Sequence, residues 1–425
     1  MKSIFEERVI LHVDINNCYA SIECRMNPSL KGKAVAVCGN IEDRHGIVLA
    51  KNDMAKGMGV KTGETIWEAR LKCPDIVLCK PHYDLYLEFS KAARKIYSNY
   101  TDRIEPFGID EAWLDITGLF RNGKQADGEE IANEIRERVK KELGITVSVG
   151  VSFNKVFAKL GSDLKKPDAV TVISKENYKD KVWKLDSGEL LYVGRRTREI
   201  LRRRGIFTIG EIANADDKML LCALGENGLK LKRFARGDDK SKVAYDGETA
   251  LLKSVSNSTT SPRDLCNDRD VKVVLYALSE SVASRLRKME LKSGVITVNV
   301  RNKLLRTYSK QRYTGFFTND AKDIASIAFQ LYKESISKSN GQPIRSIGIS
   351  AGDLKPQNSY EQLTLFESIE ESMRKKSLNN TVDKLRKRYG ESCVRRGIIL
   401  KDDYFKNFSA QIQNEVHPAG FMKSV

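Results

Sequence analysis

Val9-Ile-Leu-His-Val-Asp14-Ile15 is the stretch that decides the fold, a strand-like apolar run that ends on a carboxylate. Its counterpart is Phe107-Gly-Ile-Asp110-Glu111-Ala-Trp-Leu-Asp115, where two adjacent acids interrupt a second apolar run. Side chains alternate across a strand, so Val9, Leu11, Val13 and Ile15 share one face and Asp14 lies on the other. An acid on the open face of a half-buried strand has no packing role. Asp110 and Glu111 cannot point the same way in a regular strand, so one of them is expected at a strand end or turn. Three carboxylates converging across a sheet would form a site for two hard cations about 3.5–4 Å apart, which clamp a phosphate under in-line attack. The competing reading is three unrelated surface acids beside two core strands, and these residues alone leave both open.

The residues after Asp14 add to the first reading. Asn16-Asn-Cys-Tyr19-Ala-Ser-Ile-Glu23 reads as a turn opening a helix, with Asn16 or Asn17 as its N-cap. Free amides at that helix start would favour an anion. Together, Asp14-Ile-Asn-Asn-Cys-Tyr19-Ala and Gly108-Ile-Asp110-Glu111-Ala-Trp-Leu-Asp115 resemble the Y-family DNA polymerases, the translesion enzymes. The resemblance continues at Asn154-Lys155-Val-Phe-Ala-Lys159-Leu-Gly-Ser-Asp163-Leu-Lys-Lys166-Pro167 and covers roughly residues 8–355.

Bulk properties agree. The 425 residues suffice for several domains, and 41% hydrophobic residues permit real cores. No apolar run approaches the ~18 residues of a membrane span, and the N-terminus lacks a secretory pattern. Eight cysteines occur without a C-x-x-C pair, which suggests reduced thiols in a cytoplasmic protein. The net charge is +17, and it is unevenly placed. Residues 1–170 carry 26 Lys and Arg against 25 Asp and Glu, whereas residues 251–355 carry 18 against 9. An excess held away from the acidic site fits a domain that grips a phosphate backbone.

Punctuation and periodicity suggest the organisation. Ile131, Ile135, Val139 and Leu143 predict a helix over 128–143, followed by a strand over 146–151. Val193-Gly194-Arg195-Arg-Thr197, Leu201 and Gly205-Ile-Phe-Thr-Ile-Gly-Glu-Ile212 look like a helix-hairpin-helix, whose amides can hold a DNA phosphate without reading sequence. The Ser/Thr/Asn-rich stretch 254–261 leads into a strand–helix–strand–strand–helix–strand rhythm. There Val295, Thr297, Asn299 and Arg301 alternate with Ile296, Val298 and Val300, leaving one face polar and basic. Lys303, Arg306, Lys310 and Arg312 are expected to extend it.

The resemblance implies an α+β multidomain fold, a right-hand polymerase with an added α+β domain. The palm would take residues 1–19 and 80–170, the fingers 20–79 and the helical thumb 171–240. A linker would span 241–253, the little finger 254–355, and a C-terminal tail 356–425. It further implies that Asp14 and Asp110 bridge two Mg²⁺ ions, that Glu111 binds the catalytic ion, and that the Ile15 carbonyl is a further ligand. Tyr19 would be the steric gate beneath the incoming sugar, and Lys166 would contact the triphosphate. Lys56 stands where the family often has an arginine, and as a lysine it would act as a point charge. Asp53 is expected to face away. In this stretch the variation looks closer to the catalytic subunit of bacterial DNA polymerase V than to DNA polymerase IV. Gly108 replaces a serine common before the Asp-Glu pair. Gly194, Arg195, Gly205, Arg301, Lys303 and Arg306 would touch primer-template DNA.

Gln362-Leu363-Thr-Leu365-Phe366 resembles the peptide by which bacterial polymerases dock on the sliding clamp. The implied activity is low-fidelity, template-directed DNA synthesis past damaged bases by a monomer, from deoxynucleoside triphosphates. No exonuclease motif is evident. The alternatives are a catalytically impaired scaffold, opposed by the intact carboxylates, and a nucleotide cyclase, which would need neither the hairpin motif nor the basic third unit.

Overall fold

The structure, a computed structural model, describes residues 8–39, 46–119, 128–248, 252–336, 341–359, 369–390 and 393–400. The chain forms two compact units that divide near residue 250.

In chain order the first unit begins β1 (Ile10–Ile15), α1 (Cys18–Met26), β2 (Val35–Cys38), β3 (Val48–Lys51), α2 (Asp53–Gly57), α3 (Ile66–Lys72) and β4 (Val77–Cys79). It continues α4 (Tyr83–Tyr97), β5 (Ile104–Pro106), β6 (Glu111–Asp115), α5 (Gly128–Leu143), β7 (Val147–Ser152), α6 (Lys155–Leu164) and β8 (Val170–Ile173). The main sheet has the order β5-β6-β1-β7-β8, and β1 runs antiparallel to both its neighbours. Leu11, Val13 and Ile15 pack with Ile96 of α4 and Ile135 and Val139 of α5. Ile10 packs on the opposite face with Trp113, Ala158 of α6 and Val243. All six residues of β1 are therefore buried, and the expectation of a strand with one open face is corrected. Close approach of α6 closes that face. A Cβ on Gly161 would stand 3.1 Å from the Cα of Gly150, so the helix lies directly on the strands. A separate three-stranded sheet, β3-β2-β4, has its own small core around Ala36, Val48 and Ile66.

Helices follow: α7 (Tyr178–Val182), α8 (Arg195–Arg203), α9 (Ile209–Asn214), α10 (Asp217–Leu224) and α11 (Glu226–Ala235). Gly205, between α8 and α9, has φ +75°, the left-handed conformation that the hairpin reading requires. Thr208 and Glu211 form a reciprocal capping box at the start of α9. The segment after α11, read from sequence as a linker, is instead strapped across the main sheet. Val243 is buried, the Ala244 amide donates to Glu105 at 3.1 Å, and the Asp246 amide donates to the Asp102 carbonyl at 2.9 Å.

The second unit contains β9 (Ser254–Leu265), α12 (Asp268–Lys288), β10 (Leu291–Asn302), β11 (Thr307–Thr318), α13 (Ala321–Ile336) and β12 (Ile344–Pro356). Its sheet order is β11-β10-β12-β9. Ile296, Val298 and Val300 enter a core with α12 and α13, while Asn299 and Arg301 are exposed as the alternation requires. One expectation fails here. Lys310 and Arg312 lie opposite Val298 and Ile296 in register, so they share the helix-covered face. Both reach over its edge to Glu334 of α13 rather than adding to the open face. Beyond β12, α14 (Ile369–Tyr389) and α15 (Gly397–Leu400) pack back on this unit. Arg386 and Arg396 share Glu280, and Ile399 enters the core.

Among the described residues no helix is long and apolar enough to cross a membrane. The pentad Gln362, Leu363, Leu365 and Phe366 belongs to lies outside the described residues.

Candidate active site

Strand pairing brings the two acidic stretches together. Asp14 is the register partner of Glu111 across β1 and β6. Asp110 occupies the turn just before β6, and its carbonyl accepts the Ile15 amide at 2.9 Å. The adjacent acids are thus split between a turn and a strand start, as side-chain alternation demands. A Cβ at position 108 would stand 3.0 Å from Asp110 Oδ1, so Gly108 leaves the Asp110 carboxylate room that a larger residue would take.

These acids share a cavity of about 500 Å³ with the first turn of α1, with β3 and with α6. Ile15, Asn17, Tyr19, Lys51, Thr62, Lys159 and Lys166 all line it. Lys159 Nζ sits 3.1 Å from Asp14, 2.6 Å from Glu111 and 3.1 Å from Asp163. Lys166 Nζ bridges Asp14 and Asp163, 3.0 Å from each. Burial and the neighbouring Asp14 carboxylate push Asp110 up to about 6. Burial pushes Glu111 up to about 7 against the pull of the Lys159 ammonium. Burial lowers Lys159, but Asp14, Glu111 and Asp163 outweigh it and hold the group above the ordinary lysine range.

Tyr19 stacks on Tyr86 with ring centroids 4.3 Å apart and meets Tyr83 edge-on at 5.7 Å. Asn17 is the N-cap of α1 at φ 49°, without a side-chain capping bond. Its amide instead donates to Asp53 at 2.9 Å, and Asp53 itself is not among the residues lining the cavity. Lys56 is exposed on α2 and is not among the residues lining the cavity; Lys51, held by Thr62 at 3.0 Å, takes that place. Lys51 was missed because the resemblance in the segment 50–60 pointed to positions 53 and 56.

His12 was missed as well. It is fully buried one pleat period before Asp14, and His12, Asp14 and Glu111 each offer a ligand atom within 4.8 Å of the others. Burial, followed by the Lys159, Lys166 and Lys155 ammoniums, pushes its imidazole far below the ordinary range and leaves it neutral. The donor set suits divalent cations. Three carboxylates in one recess repel one another, and a lysine ammonium already stands between two of them.

Outside this cavity, Gly194 caps the start of α8 and Arg195 projects into solvent, paired with Glu199 at 3.1 Å. Arg301, at the end of the β10 alternation, and Lys303 and Arg306 just beyond it are exposed in the second unit.

Comparison with known proteins follows the same outline. Residues 13–163 match the impB/mucB/samB family, and residues 252–365 match that family's C-terminal domain. A DNA polymerase IV of Acetivibrio thermocellus is 49% identical over 93% of this chain and 98% of its own length. DNA polymerase IV 1 of Bacillus subtilis is 36% identical over 94% and 95%, and DNA polymerase IV of Clostridium acetobutylicum 34% over 93% and 99%. The variation at Asp53 and Lys56 therefore sits in a chain that aligns over 93–94% of its length with proteins named DNA polymerase IV. Among solved structures, a Y-family DNA polymerase chimera of Dbh and Dpo4 superimposes with a TM-score of 0.73 at 25% identity, covering 81% of this chain and 98% of its own.

Proposed function

This chain belongs to the impB/mucB/samB family, the bacterial Y-family DNA polymerases, and from that premise we propose that it copies damaged templates by two-metal nucleotidyl transfer. The observation that carries the reading is the meeting of Asp14, Asp110 and Glu111 at one end of the main sheet, under two lysines and beside an aromatic ring. It is a DNA-directed DNA polymerase, as its relatives' names indicate.

Asp14 and Asp110 would hold two Mg²⁺ ions between them, with Glu111 binding the catalytic ion and the Ile15 carbonyl as an additional ligand. Oxygen-only ligands in small number suit Mg²⁺, which keeps water and phosphate in its remaining positions. Bound there, the ions would lower the pKa of the primer 3′-hydroxyl and neutralise the departing pyrophosphate. The chain's own residues supply the rest. Lys166, and Lys159 once released from the carboxylates, would neutralise phosphate oxygens from the α6 side. Lys51 would approach from the finger sheet, in the role expected of Lys56. Tyr19 would exclude a 2′-hydroxyl, its ring held flat against Tyr86. Gly194, Arg195 and Gly205 would hold one DNA backbone, and Arg301, Lys303 and Arg306 another. The Gln362–Phe366 pentad would dock on the sliding clamp. Low fidelity, absence of proofreading, a cytoplasmic location and a monomeric state complete the proposal.

The test is primer extension on intact and lesion-bearing templates, with and without loaded clamp. Asp110→Ala should abolish incorporation while primer-template affinity stays within a few-fold, about 1 kcal/mol. Extension by that variant at saturating Mg²⁺ would falsify the site.

A further inference from the structure

His12 stands within reach of Asp14 and Glu111, and the proposed chemistry does not use it. Its side chain is 0% exposed, and its Nε2 is buried without a hydrogen-bond partner. Nε2 lies 3.5 Å from Glu111 Oε2, a spacing at which an imidazole lone pair and a carboxylate oxygen confront each other. The other ring nitrogen is fully engaged. Ser162 Oγ donates to the Lys159 carbonyl at 2.7 Å, so it can accept only from Nδ1–H of His12, at 2.9 Å. That chain fixes the tautomer and turns the free lone pair toward Asp14 and Glu111.

We propose that His12 Nε2, Asp14 and Glu111 form a second kind of cation site in this recess, selective for a borderline transition ion of the Zn²⁺ class. Four observations support it. The three ligand atoms lie within 4.8 Å of one another, close enough for one ion. The Nε2 atom is buried, has no hydrogen-bond partner among the described residues, and faces Glu111. Nδ1–H is braced by a hydroxyl that is itself braced, the outer support that metal-binding histidines have. Finally, a cation already stands there, because Lys159 Nζ lies between Asp14 and Glu111, and Asp163 at 3.1 Å can receive it when an ion displaces it.

A nitrogen donor changes the selectivity. Mg²⁺ takes oxygen ligands and gains little from imidazole, whereas affinity for mixed nitrogen and oxygen sets rises steeply toward Zn²⁺ and Cu²⁺. Such an ion would occupy Asp14 and Glu111 at once and exclude the Mg²⁺ pair of the proposed polymerase. The exclusion rests on that reading; occupation of the site does not.

The experiment uses the full chain stripped of metal and titrated with Zn²⁺ against a chromophoric chelator. Zn²⁺ should bind one tight site. His12→Gln should weaken it by more than about 100-fold and Ser162→Ala by about 10–100-fold, the range for lost outer supports. Mg²⁺ should compete only at far higher concentration. A second readout needs no variant: nitrogen NMR of the wild-type chain labelled at its four histidines. Zn²⁺ should move the His12 Nε2 resonance first. Unchanged Zn²⁺ affinity in folded His12→Gln, or a first response at His82 with His12 unmoved, would overturn the proposal. Either result would leave the polymerase reading standing, since that is judged by Asp110→Ala and extension.

Discussion

Replacing Gly150 with alanine should cripple the enzyme from beneath its active site. Gly150 lies in β7, where a Cβ would overlap the Ala158 carbonyl oxygen and stand 2.5 Å from the Ser162 nitrogen and 2.9 Å from the Gly161 carbonyl carbon. All three are backbone atoms of α6, so no side-chain rotation can relieve the contact. The Ala158 oxygen would stand 1.9 Å away, so restoring an ordinary separation of about 3.5 Å requires a recoil of roughly 1.6 Å at that contact. Overpacking of this kind costs about 1–3 kcal/mol. In a unit of this size each kcal/mol lowers the melting temperature by about 2–4 °C, so a loss of roughly 2–12 °C is expected. The recoil also carries Lys159 and Ser162 away from Asp14, Glu111 and His12. Misplacement by about 1 Å in an active site can cost on the order of 100-fold in rate. Thermal melting and single-nucleotide incorporation on a short primer measure the two effects. Gly57→Ala is the control, because a Cβ there meets nothing within 4 Å and alanine suits the helix. Should Gly150→Ala match the parent in both melting temperature and kcat, α6 is not pressed on β7 as described, and the account of how the lysines are placed fails.

Other expectations follow from the same geometry. Tyr19→Ala should lower the ratio of kcat/KM for deoxy- over ribonucleotides, with deoxynucleotide use surviving; an unchanged ratio would make Tyr19 a packing residue. Asp110 and Glu111, with carboxyls near 6 and 7, hold protons more tightly folded than unfolded. Their contribution to metal-free stability is therefore full at low pH and is lost as pH rises through those values. The melting temperature without metal should fall between about pH 4 and pH 7, and Mg²⁺ should reverse the fall at the upper end. Joint Asp110→Asn and Glu111→Gln replacement should flatten the profile; an equal slope in that variant would place the titration elsewhere. Replacing Arg301, Lys303 and Arg306 by alanine should flatten the plot of log K against log salt by about 0.9 for each lost duplex phosphate contact. An unaltered slope would mean that these side chains do not face DNA.

Side-chain alternation exposed much of this in the sequence. Asp14 against Val13 and Ile15, and Glu111 after Asp110, could be phased because a strand allows only two faces. Gly205 marked the hairpin turn for a similar reason, since few other residues accept its backbone. His12 stayed hidden because an imidazole inside an apolar run looks like core, and only its orphaned nitrogen distinguishes it. A signal for Lys159 was available: Lys155, Lys159 and Ser162 recur at i, i+4 and i+7, one face of a helix. Lys310 and Arg312 misled because strand phase is set by pairing register, here through the connection between Arg301 and Thr307, which composition does not reveal. The strap carries only the short run Val243-Ala244-Tyr245 among polar residues, too little for any periodicity to register.

The position of β1 also bears on the order in which parts of the first unit open. It is the middle strand of five, bonded along both edges and covered on both faces. Amides in such a strand exchange with solvent only when the whole unit unfolds, whereas short sheets with small cores open locally at far lower cost. The strand that carries Asp14 should thus be among the last parts to exchange, and the β3-β2-β4 sheet, which brings Lys51 to the cavity wall, among the first. An irregular template would be accommodated by a yielding wall over an unyielding floor. The acids would keep their spacing while the space above them adapts.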